Sequence, residues 1–178
     1  MALINTTTTG VLGTTLYGDG QGSLTVQKDG VTQSIYGNIP AFSAYRTGSD
    51  QSATTVTYTK VQFNSEQFDT NNNWDTTNYR FLPTVAGYYL LNASVLHNPA
   101  GATFIIRLYK NGASSSTQSL SVIIASSGTI GGGTSTGFSE LVFANGTTDY
   151  FEIFGYSSAA SPGFQAVSYF TGHLVKAT

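Results

Sequence analysis

FNSEQFDTNNNWDTTNYRFLPTVAGYY, residues 63–89, is the stretch whose reading decides the fold. Phe63, Trp74, Phe81 and Tyr89 stand in it as single large rings, parted by Asn-, Asp- and Thr-rich segments and by Pro83, with Asp69 and Gly87 between them. No 3.6-residue apolar period runs through these intervals, so the segment predicts short strands and turns that deliver isolated rings to a common core, with almost no helix. Phe63, Asp69, Trp74, Phe81, Gly87 and Tyr89 are the members of this spaced pattern.

Outward from this stretch the same grammar continues. Strands are predicted over Ala41–Arg46, Thr54–Phe63, Asn78–Leu82, Gly87–His97, Thr103–Lys110, Ser119–Ile124, Thr136–Phe143, Tyr150–Tyr156 and Gln165–Val175, rich in β-branched and aromatic residues. Asn111-Gly112 and Asn145-Gly146 are the strongest hairpin signals among the turns. Short strands at this spacing predict an all-β sandwich or barrel.

Several of these strands are apolar on both faces. Tyr89, Leu91, Ala93 and Val95 line one side of their strand, while Tyr88 and Leu90 interrupt the other; Ile105 and Tyr109, Phe154 and Tyr156, and Tyr169 with His173 stand likewise on second faces. A sheet with one wet face alternates cleanly, so these residues imply a further contact surface, most economically between subunits. Tyr88, Leu90, Ile105, Tyr109, Phe154, Tyr156, Tyr169 and His173 are the candidate trimer-interface residues; a covering loop is the alternative.

The 178 residues include 7 basic and 9 acidic side chains, a formal charge of −2, and no cysteine. A nucleic-acid footprint or a polybasic membrane patch is excluded, as are disulfides, thiolate chemistry and Cys-ligated zinc. No apolar run approaches the ~20 residues that span a bilayer, so no membrane insertion is expected. Residues 1–36, with a threonine run (Thr6 to Thr9) and the turn dipeptides Asp19-Gly20 and Asp29-Gly30, read as an arm or adaptor. Leu24 to Gln27 and Val31 to Ile35 are placed to form a small hairpin in it. Residues 37–178 are the head. MALINTTTTG lacks the charged start and apolar stretch of a secretory signal, which leads us to expect synthesis in the cytoplasm and no glycosylation at the sequons of Asn5, Asn92 and Asn145.

The order Phe63, Asp69, Trp74, Phe81, Gly87, Tyr89 resembles the signature of the C1q globular-head domain, a relative of the tumour necrosis factor ligands, though Leu91 and Ala93 stand where that family has aromatic residues. Pro40-Ala41-Phe42-Ser43-Ala44 is similar to its opening strand, Leu108-Tyr109-Lys110-Asn111-Gly112 to its central hairpin, and Tyr169-Phe170-Thr171-Gly172-His173-Leu174 to its closing strand. The resemblance covers residues 38–178 and implies a ten-strand jelly roll assembled as a homotrimer. The short Thr- and Gly-rich arm and the Cys-free head further resemble virion proteins of tailed bacteriophages, such as those of cyanobacteria. That second resemblance implies a capsid decoration or cement protein on the virion surface, its residues 1–36 contacting capsid or tail proteins. A tail-fibre or head-fibre tip binding a host-surface glycan is the first alternative and a secreted ligand head the second.

No chemistry competes with this reading. His97 precedes Asn98-Pro99 at a strand end and is expected to make a turn contact; His173 is expected at a subunit contact; neither fits a catalytic base. Glu66 and Asp69 are weighed as a glycosidase pair, and Asp69, Asn71, Asn72, Asn73 and Asp75 as a calcium loop, against the plainer role of turn formers. Gly131-Gly132-Gly133 lacks the Lys-Ser/Thr of a phosphate cradle. Trp74 and Tyr156 are the aromatic residues placed to stack on sugars, with Trp74 more in keeping with the core. No enzyme activity, cofactor or metal is expected.

Overall fold

Sixteen β-strands and no helix make up the described residues of the computed structural model, which are 16–18, 24–28, 31–36, 39–112, 122–125 and 133–178. Two units separate, residues 1–39 and 40–178. The first holds β1 (Leu16–Gly18), β2 (Leu24–Lys28) and β3 (Val31–Tyr36) as an antiparallel sheet in chain order. The threonine run and both Asp-Gly turns of this segment lie outside the described residues.

The second unit is a sandwich of two antiparallel sheets. Its front sheet contains β4 (Ala41–Tyr45), β5 (Gln51–Ser52), β7 (Ser65–Asp69), β10 (Gly87–Asn98), β13 (Thr134–Ala144), β15 (Gly163–Phe164) and β16 (Tyr169–Ala177). β10 is its spine: β13 pairs along one edge from Gly87 to His97, and β16 pairs along the other until β15 takes over at His97 and Asn98. β4 and then β7 extend the sheet beyond β16. The back sheet contains β6 (Thr59–Lys60), β8 (Trp74–Asp75), β9 (Arg80–Phe81), β11 (Phe104–Lys110), β12 (Val122–Ala125) and β14 (Phe151–Ser157), in the order β12-β11-β14-β9-β8, with β6 also beside β14.

Period-two alternation fills the space between the sheets. Tyr89, Leu91, Ala93 and Val95 of β10 face Phe104, Ile106 and Leu108 of β11 and Phe151 and Ile153 of β14 across one buried cluster. Phe42 stacks on Phe81 at 4.2 Å and on Trp74 at 5.4 Å, and meets Phe170 edge-on at 5.1 Å. Gly172, opposite these rings on β16, leaves the room they use: a Cβ there would stand 2.4 Å from Leu91 Cδ2 and 2.8 Å from Phe42 Cε1.

Two strand expectations are corrected. Thr54–Phe63 is not one strand; only Thr59–Lys60 pairs, because the chain turns at Val56, whose φ is 57°. Ser65–Asp69, outside the strands predicted, is the edge strand of the front sheet, and its polar composition hid it.

Truncating the ring that touches both sheets tests this architecture: Phe42→Ala should cost about 3–5 kcal/mol in denaturant unfolding. An effect below about 1 kcal/mol, the size of an ordinary surface substitution, would refute Phe42 as the hub.

Candidate functional site

The sequence signature is built into the core. Phe63, Trp74, Phe81 and Tyr89 are buried, and the Tyr89 hydroxyl donates to the Val85 carbonyl at 2.8 Å. Asp69 ends β7 as a clamp: its Oδ2 accepts the Trp74 N–H at 2.6 Å and its Oδ1 the Asn71 N–H at 3.2 Å, which fixes the turn that delivers Trp74. Gly87 is set by close approach, since a Cβ would lie 2.3 Å from the Lys176 carbonyl oxygen. These six residues serve the core and its turns, and among them Asp69 is the one left partly exposed.

The candidate site is the outer face of the front sheet, where the register lays side chains in rows. Phe143 and Tyr88 form one row, their rings 5.5 Å apart edge-to-face. Leu141, Leu90, His173 and Ala41 form the next, then Ser139, Asn92, Thr171, Ser43 and Phe68. A further row runs Gly137, Ser94, Tyr169 and Tyr45. Lys176, opposite Tyr88, is the one charged side chain in these rows. Tyr45, Phe68, Tyr88, Leu141, Phe143 and Tyr169 are six of the ten large apolar side chains exposed among the described residues, with Leu141 at 53%. The gathering of most of them on one sheet face marks a surface built for contact rather than scattered exposure.

One end of this face is held by a polar lock. Lys110 Nζ donates to the Phe143 carbonyl at 2.9 Å and to Asp149 Oδ2 at 2.7 Å, while Asp149 also accepts from Asn111 Nδ2 and the Asn145 N–H. Burial opposes ionisation of Asp149, but the hydrogen bonds from Lys110, Asn111 and Asn145 outweigh it and hold the carboxyl below its usual range. Asp75 is treated alike: desolvation is overcome by donors from Asn78, Thr77 and Arg80.

The eight candidate interface residues divide between two sheets. Tyr88, Leu90, Tyr169 and His173 share the front face. Ile105, Tyr109, Phe154 and Tyr156 lie on the outer face of the back sheet, where Ile105 is opposite Tyr156 and Tyr109 opposite Glu152. There the chain supplies part of its own cover: Tyr58 lies 5.3 Å from the Tyr156 ring and 6.4 Å from that of Tyr109, which stacks on Phe154 at 4.1 Å. Tyr109 is buried by this arrangement. Leu141, Phe143, Phe68 and Tyr45 were not singled out from the sequence; Leu141 and Phe143 are betrayed by the Ser139-x-Leu141-x-Phe143 alternation once the inward set Phe138 and Val142 is known.

Neither histidine stands with acid–base partners. His97, expected at a turn contact, instead points into the core, fully buried and stacked on Phe104 at 4.4 Å, with both ring nitrogens lacking a hydrogen-bond partner among the described residues. It continues the inward series of Tyr89, Leu91, Ala93 and Val95, so strand parity placed it there. Desolvation lowers its pKa. Glu66 and Asp69 belong to β7, where the Asp69 oxygens take backbone N–H donors, so Asp69 and Asp75 act as turn formers. No group of three or more His, Asp or Glu side chains is placed to hold a metal ion among the described residues. Gly131 and Gly132 lie outside the described residues.

Residues 41–175 match the family model described as the C1q domain. Among solved structures, the globular domain of zebrafish complement 1qA protein aligns with a TM-score of 0.57 at 17% identity, covering 79% of this chain and 99% of that one. The tumour necrosis factor Eiger from S. frugiperda aligns with a TM-score of 0.60 at 11% identity over 79% and 94% of the two chains. Murine APRIL aligns with a TM-score of 0.56 at 12% identity over 77% and 99%. A search of curated protein sequences returns no match.

The buried imidazole makes stability depend on pH. Because its folded pKa lies below the ordinary 6.5, the unfolded chain takes up the proton first. Stability is thus full above that pH and falls as pH drops from it towards the folded pKa. The lowered carboxyls of Asp75 and Asp149 start from 3.8 and act in a separate, more acidic window. In urea titrations, His97→Leu should remove the slope that sets in below about pH 6.5 and be at least as stable as wild type at pH 8. An unchanged slope would show that another group carries it.

Proposed function

Because the chain belongs to the C1q domain family, we propose that its head works as a homotrimer closed through the front sheet, a binding and structural module without catalysis. The apolar-rich rows from Tyr88 to Tyr169, with Leu141 and Phe143 beside them and Lys176 as their one charged side chain, carry this reading. Removing a large apolar side chain from water contributes about 1.5–3 kcal/mol when burial is complete, and such a face costs solubility unless it is covered. Heads of this family assemble in threes, which supplies the symmetry; His173, amid Leu90 and Ala41, would lie within the contact.

We further propose that the trimer decorates the surface of a tailed-phage virion, attached to capsid or tail proteins by residues 1–36. Support comes from the separate N-terminal unit with its own three-stranded sheet ahead of the head, and from a weakly charged, Cys-free composition. A second reading, a fibre tip that binds a host-surface glycan, is favoured by the half-exposed aromatic cluster around Tyr58 and Tyr156 on the back sheet.

Sedimentation of the full chain should give a trimer, and Leu141→Glu should give a folded monomer with an unchanged far-ultraviolet spectrum. A monomeric wild-type protein would overturn the front-sheet contact. Deleting residues 1–36 should abolish attachment to particles while leaving the trimer; continued attachment would move the anchor elsewhere.

A further inference from the structure

We propose that the outer face of the back sheet, around Arg107, Tyr58 and Tyr156, binds an acidic saccharide, with Arg107 taking the carboxylate of a sugar ring that stacks on the tyrosines. The proposal rests on the glycan-binding reading above and gives it a site; it does not depend on the trimer.

The argument starts from charge. Three ion pairs join described residues: Lys60 with Glu152, Arg80 with Asp75, and Lys110 with Asp149. Arg107 is in none of them. On its own face the carboxylate of Glu152 is already held by Lys60, so Lys60 and Arg107 against Glu152 leave one positive charge, in a chain whose formal charge is −2. Arg107 stands opposite Phe154 in the register, and its guanidinium lies 4.4 Å from the centre of the Tyr58 ring. Its Nε is buried and has no hydrogen-bond partner among the described residues. The donors open to a ligand are therefore those of its Nη groups, and a pair of guanidinium N–H donors suits a carboxylate in bidentate fashion.

The surroundings narrow the class of acid. Tyr58 and Tyr156 are half-buried, 5.3 Å apart and inclined at 41°, and Phe154 with Tyr109 continues the aromatic floor beside them. Burial pushes the Tyr58 phenol up, against the pull of the Arg107 cation, so at neutral pH its hydroxyl remains a donor. Rings edged by hydroxyls beside a single cation fit a flat partner with one apolar face, several hydroxyls and one negative charge, as in a hexuronic acid residue. A nucleic acid or polyphosphate would need a row of cations that this face lacks.

Calorimetric titration of the full chain with trigalacturonate, maltotriose and a single-stranded DNA oligonucleotide tests the assignment. Trigalacturonate should bind one per protomer, maltotriose about tenfold more weakly, and the oligonucleotide no better than maltotriose. Arg107→Gln should lose about tenfold for trigalacturonate and nothing for maltotriose, and Tyr156→Ala should weaken both sugars. The Tyr156 variant keeps the test open if the Arg107 variant fails to fold. Leu141→Glu should bind as wild type, so loss of the trimer and loss of the sugar site remain separate results. Equal binding of the two sugars, no binding of trigalacturonate, preference for the oligonucleotide, or wild-type affinity in folded Arg107→Gln would each overturn the proposal.

Discussion

The ring of Phe42, on the front sheet, stacked 4.2 Å from that of Phe81 on the back sheet, is the contact on which the sandwich depends. With no cysteine in the chain, no disulfide ties the two sheets together. Their separation is instead set by packed rings, Phe42, Trp74, Phe81 and Phe170, and these must arrive from four different segments. Asp69 and Gly87 earn their places in the signature by steering rather than by packing. One clamps the turn before Trp74; the other lets β10 lie against the end of β16. Local turn chemistry and the long-range core therefore specify the same geometry, the condition for a single well-defined fold.

Closing the core this way leaves each sheet an outer face, and the two faces are resolved differently. On the back sheet the chain returns over itself, with Tyr58 against Tyr109 and Tyr156 and Lys60 holding Glu152. On the front sheet no described residue performs that service for Tyr88, Leu141, Phe143 or Tyr169, which remain exposed. The contrast separates a face partly covered by its own chain from a face whose large apolar side chains no described residue covers.

Most of the architecture was legible because strand parity and turn residues are local signals. The period-two pattern of Gly87–His97 gave the inward set Tyr89, Leu91, Ala93 and Val95 without any knowledge of the partner strands. What parity does not encode is which sheet a strand joins. Ile105 and Tyr88 are both second-face apolar residues, yet they lie on opposite sides of the sandwich, a distinction made only by pairing between distant segments. β7 escaped detection because Ser65–Asp69 is an edge strand with one neighbour, so its sequence need not be apolar. His97 was misplaced for a different reason: the Asn98-Pro99 that follows it signals a turn, but parity extends one residue further and sends the imidazole inward onto Phe104.

The distribution of charge joins these strands of argument. Only 16 of 178 side chains are Asp, Glu, Lys or Arg, and those in the described ion pairs lie on the back sheet or at strand ends, where they lock turns and cover rings. The central front rows have none, so association there has to come from apolar burial and shape, with little electrostatic steering or salt dependence. Arg107, like Arg46 and Lys176, stands outside the described ion pairs, and it is the one of the three on the outer face of the back sheet. A half-buried arginine kept on a tyrosine ring outside the described ion pairs costs desolvation free energy and returns little to stability. An anion that met its Nη donors would offset that cost, as the proposed subunit contact would for the exposed rings of the front face.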